Sequence, residues 1–249
     1  MQLLKRLCET PGVSGFEREV QGIVIGELER SCDDVHTDRV GNVIGRKKAV
    51  KRASRKKPLK IMFAAHVDEI GFMVRHIDDD GFISFAPIGG FDPRLLLGRR
   101  VLVHGRKDVR GVIAPQPGCI LTAEDKKKIV EIKDMVIDVA MPAEKVNKLV
   151  CVGDVISLDQ DFRRLNDKVV TGRNFDDRVG VYCMLEAMKR IADNRAEVYA
   201  VSTVQEEVGL RGVPAAAFSV EPDIGIAIDG SLASDVPYAS AKDKNCFLG

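Results

Sequence analysis

Residues 59–68 read LKIMFAAHVD, an apolar run that ends in a histidine and an aspartate. An uninterrupted run of this length, without alternation, is the pattern of a strand buried on both faces in the middle of a sheet. Two further apolar stretches end the same way. EVYAVSTV (197–204) runs into Gln205 and the pair Glu206-Glu207, and DIGIAI (223–228) runs into Asp229. In open α/β sheets the carboxyl ends of the strands open onto the ligand crevice. His66/Asp68, Glu206/Glu207 and Asp229 are therefore expected to converge there. A fourth acidic pair, Asp176-Asp177, opens a helical stretch over about 176–192, where carboxylates are favoured by the helix dipole.

Outward from these strands the chain alternates between helix and strand signals. Ser14 followed by Glu17 predicts a capped helix start, and Val20, Ile23, Val24 and Leu28 repeat at helical spacing behind it. Short strands are expected at VHT (35–37) and NVIG (42–45), and a short Ala-rich helix over 213–219. On the helix from Asp176, the spacing of Val179, Tyr182, Cys183, Ala187 and Ile191 predicts the buried face. Residues from about 70 to 160 differ in texture. Short β-like runs (GFMVRHI, GFISFAPI, RVLVHG, RGVIA, MVIDVA, DVISL) are broken by DDDG, GG and Pro, the signature of a small all-β module. The chain is thus read as one α/β domain, 1–69 and 161–249, interrupted by a β domain at 70–160.

Composition narrows the function classes. Lys+Arg 38 against Asp+Glu 37 leaves a net charge of +1, which offers no global pull toward nucleic acid or an anionic membrane. The basic run RKKAVKRASRKKPLK (46–60) is read as a solvated loop between strands, because few aromatics accompany it to stack on bases. No stretch approaches the roughly 20 apolar residues of a membrane span, and the QLLKRLCE start has no signal-peptide pattern. The six cysteines lack CxxC spacing, which favours reduced thiols in a cytoplasmic protein.

Each site residue has a bland reading: a hydrogen-bonded core histidine, a helix-capping Asp pair, an Asp-Gly turn. Glu206-Glu207 resists one, because adjacent carboxylates after a buried strand repel unless a cation or a shared proton compensates. One histidine with several carboxylates and no thiolate nearby suits zinc, cobalt or manganese.

The strings AAHVDEIGFMV (64–74), NFDDRVG (174–180), TVQEEVGLRG (203–212) and AIDGS (227–231), in this order, resemble the M42 family of metalloaminopeptidases. That family includes the twelve-subunit TET peptidases. The resemblance implies a mixed-sheet, zinc-exopeptidase-like catalytic domain interrupted by a β-barrel dimerisation domain, a homo-oligomer, peptide substrates and two divalent metal ions per subunit. It implies that His66 and Asp229 hold one metal, that Glu207 holds the other and that Asp176 bridges them. Asp177, after a peptide bond that is cis in relatives, would lie outside the ligand set. Asp68 would fix the His66 tautomer, and Glu206 would act as general base on a metal-activated water.

The pattern also breaks. Relatives supply a fifth ligand, a histidine well beyond the position of Asp229, whereas His36, His76 and His104 lie upstream. The final NCFLG (245–249) resembles the start of a further family strand. The resemblance therefore reads the chain as C-terminally truncated, with one metal site under-coordinated and little turnover expected. Two other functions stay open: a non-catalytic scaffold, and another hydrolase on the same scaffold. The latter is an amide deacylase or, against the absence of Trp, an endoglucanase.

Overall fold

The computed structural model describes residues 1–50, 57–115 and 129–237, with Lys242 and Cys246. Two helices, α1 (Gln2–Glu9) and α2 (Arg18–Leu28), precede the strands β1 (Asp34–Thr37), β2 (Val43–Lys47) and β3 (Lys60–His66). After a long excursion the chain returns in α4 (Phe175–Arg190), β12 (Glu197–Thr203), α5 (Gly212–Val220) and β13 (Ile224–Ala227). These strands form one mixed sheet in the order β1-β2-β12-β3-β13, with β12 and β13 parallel to β3 and β2 antiparallel to β12.

The excursion contains β4 (Gly71–Ile77), β5 (Ile83–Ile88), β6 (Arg100–His104), β7 (Asp108–Pro115), β8 (Met135–Asp138), α3 (Ala143–Leu149) and β9 (Val155–Leu158). Its six strands close into a barrel in the order β4-β5-β8-β7-β6-β9. A small ribbon of β10 (Arg163–Arg164) and β11 (Val170–Thr171) follows. The fold is therefore α/β with a closed β-barrel between its two halves. The barrel starts almost where the histidine strand stops, because only residues 67–70 separate β3 from β4. At that exit Gly71 is packed so closely that a Cβ would lie 2.6 Å from Val13 and 2.7 Å from the Ile156 carbonyl oxygen.

Packing explains the sheet. On one face Val20, Val24 and Leu28 of α2 meet Val181, Met184, Leu185 and Met188 of α4 over Ala65, Val198 and Ala200. On the other, Ala216 and Val220 of α5 cover Ile44, Met62, Ala64, Tyr199 and Val201. Each fully buried Leu, Met or Val contributes about 1.5–3 kcal/mol relative to exposure. The barrel has its own core, in which Phe72 stacks on Phe91 at 4.3 Å and meets Phe85 edge-on at 4.9 Å.

Two local expectations are corrected. The buried stripe of α4 is Val181, Met184, Leu185 and Met188, while Val179 and Cys183 face solvent. The i, i+3, i+4, i+7 spacing was available one register away and carries larger side chains to the core. Ser14 does not cap α2, which starts at Arg18 after Glu17. Instead Ser14 Oγ donates to Asp68, and Glu17 accepts from the Gly15 and Gln205 backbone N–H groups.

Within the basic run, 51–56 lies outside the described residues. Of its flanks, Arg46 pairs with Glu197 and Lys48 with Asp34, and Lys47 donates to Met188 O and Ile191 O at the carboxyl end of α4. Lys60 likewise donates to Val220 O at the end of α5. A cation at that end of a helix answers both the free carbonyls and the dipole. Among the described residues, no helix is long and apolar enough to cross a membrane.

Candidate metal centre

Strand register brings the clusters level. Thr203 of β12 lies beside His66, and Ala227 of β13 lies beside Ala64. Asp229, two residues past Ala227, therefore reaches the height of His66, and Glu206 follows three residues past Thr203. The amino end of α4 supplies Asp176 and Asp177, joined by a cis peptide bond. Side-chain atoms of His66, Asp177 and Asp229 all lie within 4.8 Å of one another, as do those of His66, Asp176 and Glu207. His66 is common to both groups, so they adjoin. The first group contains Asp177, which the resemblance leaves outside the ligand set.

Asp68 organises one wall. It is fully buried and accepts hydrogen bonds from Ser14 Oγ at 2.5 Å, Glu206 N at 3.0 Å and Glu207 N at 3.1 Å. Its carboxylate thus fixes the loop carrying both glutamates. Burial alone would raise the Asp68 pKa, but these donors and His66 hold it below the usual carboxylate range. His66 Nε2 lies 2.9 Å from Asp176 Oδ1. Its Nδ1 is 3.4 Å from Asp68 Oδ1, long for a hydrogen bond, and has no other partner.

The other carboxylates are crowded. Burial first, then Asp229, pushes Asp177 up to about 7. Burial first, then Asp176, Asp68 and Glu206, pushes Glu207 up to about 7 against the pull of His66. Glu206 is raised too, mainly by burial, with Oε2 3.9 Å from His66 Nε2. Burial would lower His66, yet the neighbouring Asp68 carboxylate and the hydrogen bond to Asp176 lift it to about 9. Among the described residues, the ion pairs these carboxylates make are all with His66. One imidazolium faces six carboxylates, and the buried Asp177 Oδ2 has no hydrogen-bond partner. A set of oxygen donors with one imidazole, gathered within 4.8 Å of one another in each group and short of positive charge, fits divalent cations such as zinc, cobalt or manganese.

The profile of the M42 glutamyl aminopeptidase family matches residues 41–249. The chain belongs to the M42 family. This M42 chain is 34% identical over 237 residues to the lysyl aminopeptidase of Pyrococcus furiosus, covering 93% of itself and 66% of that protein. It thus spans about two thirds of the length of that curated relative. A TET aminopeptidase from a marine-sediment Thaumarchaeota archaeon superimposes with a TM-score of 0.92 at 37% identity, over 100% of this chain and 70% of that one. An endoglucanase from Thermotoga maritima superimposes with a TM-score of 0.79 at 31% identity, over 96% of this chain and 69% of that one.

Sequence reasoning missed the surroundings of this M42 site. Ser14 and Glu17 fit a local capping pattern, while Glu69 and Arg178 sit inside the family strings with no role that their local sequence gives them. The available signals were Glu69, which extends the His-Val-Asp string by one more carboxylate, and Arg178, a charge inside an apolar helix.

One other chemistry-bearing set stands apart. His104 Nε2 lies 2.9 Å from Ser157 Oγ, and its Nδ1 lies 3.1 Å from Asp108 Oδ1. Ser157 is only 1% exposed in the barrel wall, so no substrate reaches that hydroxyl. The set ties β6, β7 and β9 together.

Proposed function

We propose that the chain is a co-catalytic two-metal aminopeptidase that removes N-terminal residues from peptides. The observation that carries this reading is the convergence of His66, Asp176, Asp177, Glu207 and Asp229 in two adjoining groups whose ligand atoms lie within 4.8 Å of one another. His66 and Asp229 would hold one cation and Glu207 the other, with Asp176 between them. Zinc is the first choice, with cobalt and manganese suited to the same donors. When bound, the cations would acidify a water molecule and polarise the scissile carbonyl.

The chain's own residues have separate tasks. Glu206 belongs to neither group and stands beside them, with Oε2 3.9 Å from His66 Nε2, which suits a base acting next to the ligands. It takes the proton from the attacking water and passes it to the leaving amine. Asp68 holds the Glu206 and Glu207 backbone N–H groups and faces His66 Nδ1, so it fixes the base and the imidazole in one grip. Peptides are the proposed substrates. The barrel is the proposed surface for self-association, by likeness to a TET1 peptidase structure that is described as a dodecamer. A cytoplasmic location accords with Cys8, Cys32, Cys151, Cys183 and Cys246 all being free.

Glu206→Gln is the test. It should leave cation binding within a few-fold of wild type and remove turnover of aminoacyl amides, whereas Glu207→Gln should weaken binding itself. Undiminished turnover in Glu206→Gln would reject the assignment. The endoglucanase relative favours a second reading, glycoside hydrolysis. The chain has no Trp to stack sugar rings, and release of sugar from cellulose oligomers would be needed to revive it. Cleavage of N-acylated rather than free-amine substrates would indicate a deacylase instead.

A further inference from the structure

The carboxyl end of α1 is held by one short segment of the chain. The last carbonyls of a helix lack partners within it. Here Arg178 Nη1 donates to Leu7 O and, at 3.1 Å, to Thr10 O. Asn174 Nδ2 donates to Cys8 O at 3.0 Å, and Arg173 Nη2 to Glu9 O at 2.8 Å. Three side chains from residues 173–178 thus answer four consecutive carbonyls. Two guanidinium groups at this end also match the negative pole of the helix.

The same groups close a buried charge network. Glu69 Oε2 accepts from Arg173 Nη1 at 3.1 Å, Glu69 Oε1 lies 3.9 Å from Arg178 Nη2, and Gly12 N donates to Glu69 Oε1 at 2.7 Å. Arg178 is fully buried and Glu69 is 2% exposed. Burying a lone guanidinium is costly, and removing one partner of a buried pair costs more than the pair contributes. Glu69 also hydrogen-bonds through its backbone to Gly12 and Ser14, so β3's exit, the 10–14 segment and the start of α4 are tied together. Between Arg173 and Arg178 stand only Asn174, Phe175 and the two aspartates of the cluster. Asn174 adopts φ 63°, ψ 24°, a left-handed conformation that Asn tolerates better than most residues.

We propose that Arg178, Asn174 and Arg173, with Glu69 as counter-ion, are positioning residues that clamp the Asp176-Asp177 turn onto α1 and so set where these carboxylates meet a cation. The clamp touches neither substrate nor metal and acts through the turn. The proposal rests on the metal reading of the cluster. It concerns binding geometry, so it can be read without turnover.

The experiment titrates cobalt(II) chloride into the metal-free chain and into Asn174→Gly, Arg178→Lys and Lys47→Met, following heat release and the visible absorption of bound cobalt. Asn174→Gly keeps the left-handed backbone while removing the Cys8 contact. Lys47→Met removes a cap at the far end of α4 and serves as a purely structural control. Titrations run where circular dichroism shows each variant folded. Loss of an outer-shell partner weakens metal affinity about 10–100-fold; the clamp variants should fall at or near that range with an altered cobalt spectrum. The Lys47→Met variant should lose thermal stability and keep wild-type affinity. If Arg178→Lys fails to fold, Asn174→Gly carries the test. Clamp variants that bind cobalt with wild-type affinity and spectrum overturn the positioning claim alone. A wild-type chain that binds no cobalt overturns the metal reading and the clamp together.

Discussion

Replacing Asp68 by Asn should destabilise the metal-free chain, because no orientation of the amide serves the donors around it. Oδ1 receives Glu206 N–H, and Oδ2 receives both Glu207 N–H and the Ser14 hydroxyl. Either way round, the Asn NH₂ group confronts one of the backbone N–H groups, and a buried donor is orphaned. Orphaning costs about 1–3 kcal/mol, and a charge-assisted bond is worth roughly 1.5–3 kcal/mol. Removing a negative charge would also relieve repulsion with Glu206 and Glu207, whose pKa values Asp68 helps to raise. The direction of the Asp68 shift decides between these effects. Its pKa is depressed despite burial, so the surroundings as a whole favour the charged form. The net loss is taken as about 2–4 kcal/mol, and for a chain of this size that lowers Tm by about 4–16 °C. Calorimetry in chelator measures it, with Ser14→Ala as the milder comparison because Asp68 keeps both backbone donors there. An Asp68→Asn variant as stable as wild type would refute the reasoning.

Acidification should stabilise the metal-free chain. Asp177 and Glu207 stand at about 7 and His66 at about 9, above their unfolded values of about 4 and 6.5. The folded state then holds more protons than the unfolded one, so stability falls as pH rises through that window. Tm in chelator should drop from about pH 5 to pH 9, and a rise would contradict the charge balance of the cluster. Cys8, pushed up to about 11 mainly by burial, should resist iodoacetamide at neutral pH in the folded chain, while Cys151 and Cys183 react; peptide mapping that finds Cys8 labelled first would reject its burial. Gly71→Ala should cost about 1–3 kcal/mol, since the added carbon meets Val13 and the Ile156 carbonyl; an unchanged denaturation midpoint would show that the barrel entrance can give.

The strands bearing the site were legible because burial on both faces leaves an uninterrupted apolar run, as in LKIMFAA. The barrel was legible as a β module through its punctuated short runs, although closure depends on pairings such as Val103 with Ile156 that lie far apart in sequence. The buried face of α4 is ambiguous in sequence because two apolar registers compete, and only packing against α2 and β3 selects between them. Ser14 and Glu17 matched a local capping pattern, yet Asp68 and Gln205 claimed them. The Arg173, Arg178 and Glu69 network joins residues about a hundred positions apart, which no local periodicity encodes. Four clusters could be located from the sequence, but it takes strand register for three of them, and the docking of α4 for Asp176-Asp177, to bring them together.

The most direct test of the central claim is hydrolysis of aminoacyl p-nitroanilides by the metal-free chain as zinc or cobalt is titrated in. The account predicts no release without metal, release that rises and saturates as the cations bind, and no release from Glu206→Gln at any metal concentration. A folded chain that binds the cations and cleaves nothing, or one whose activity ignores chelation, would contradict it.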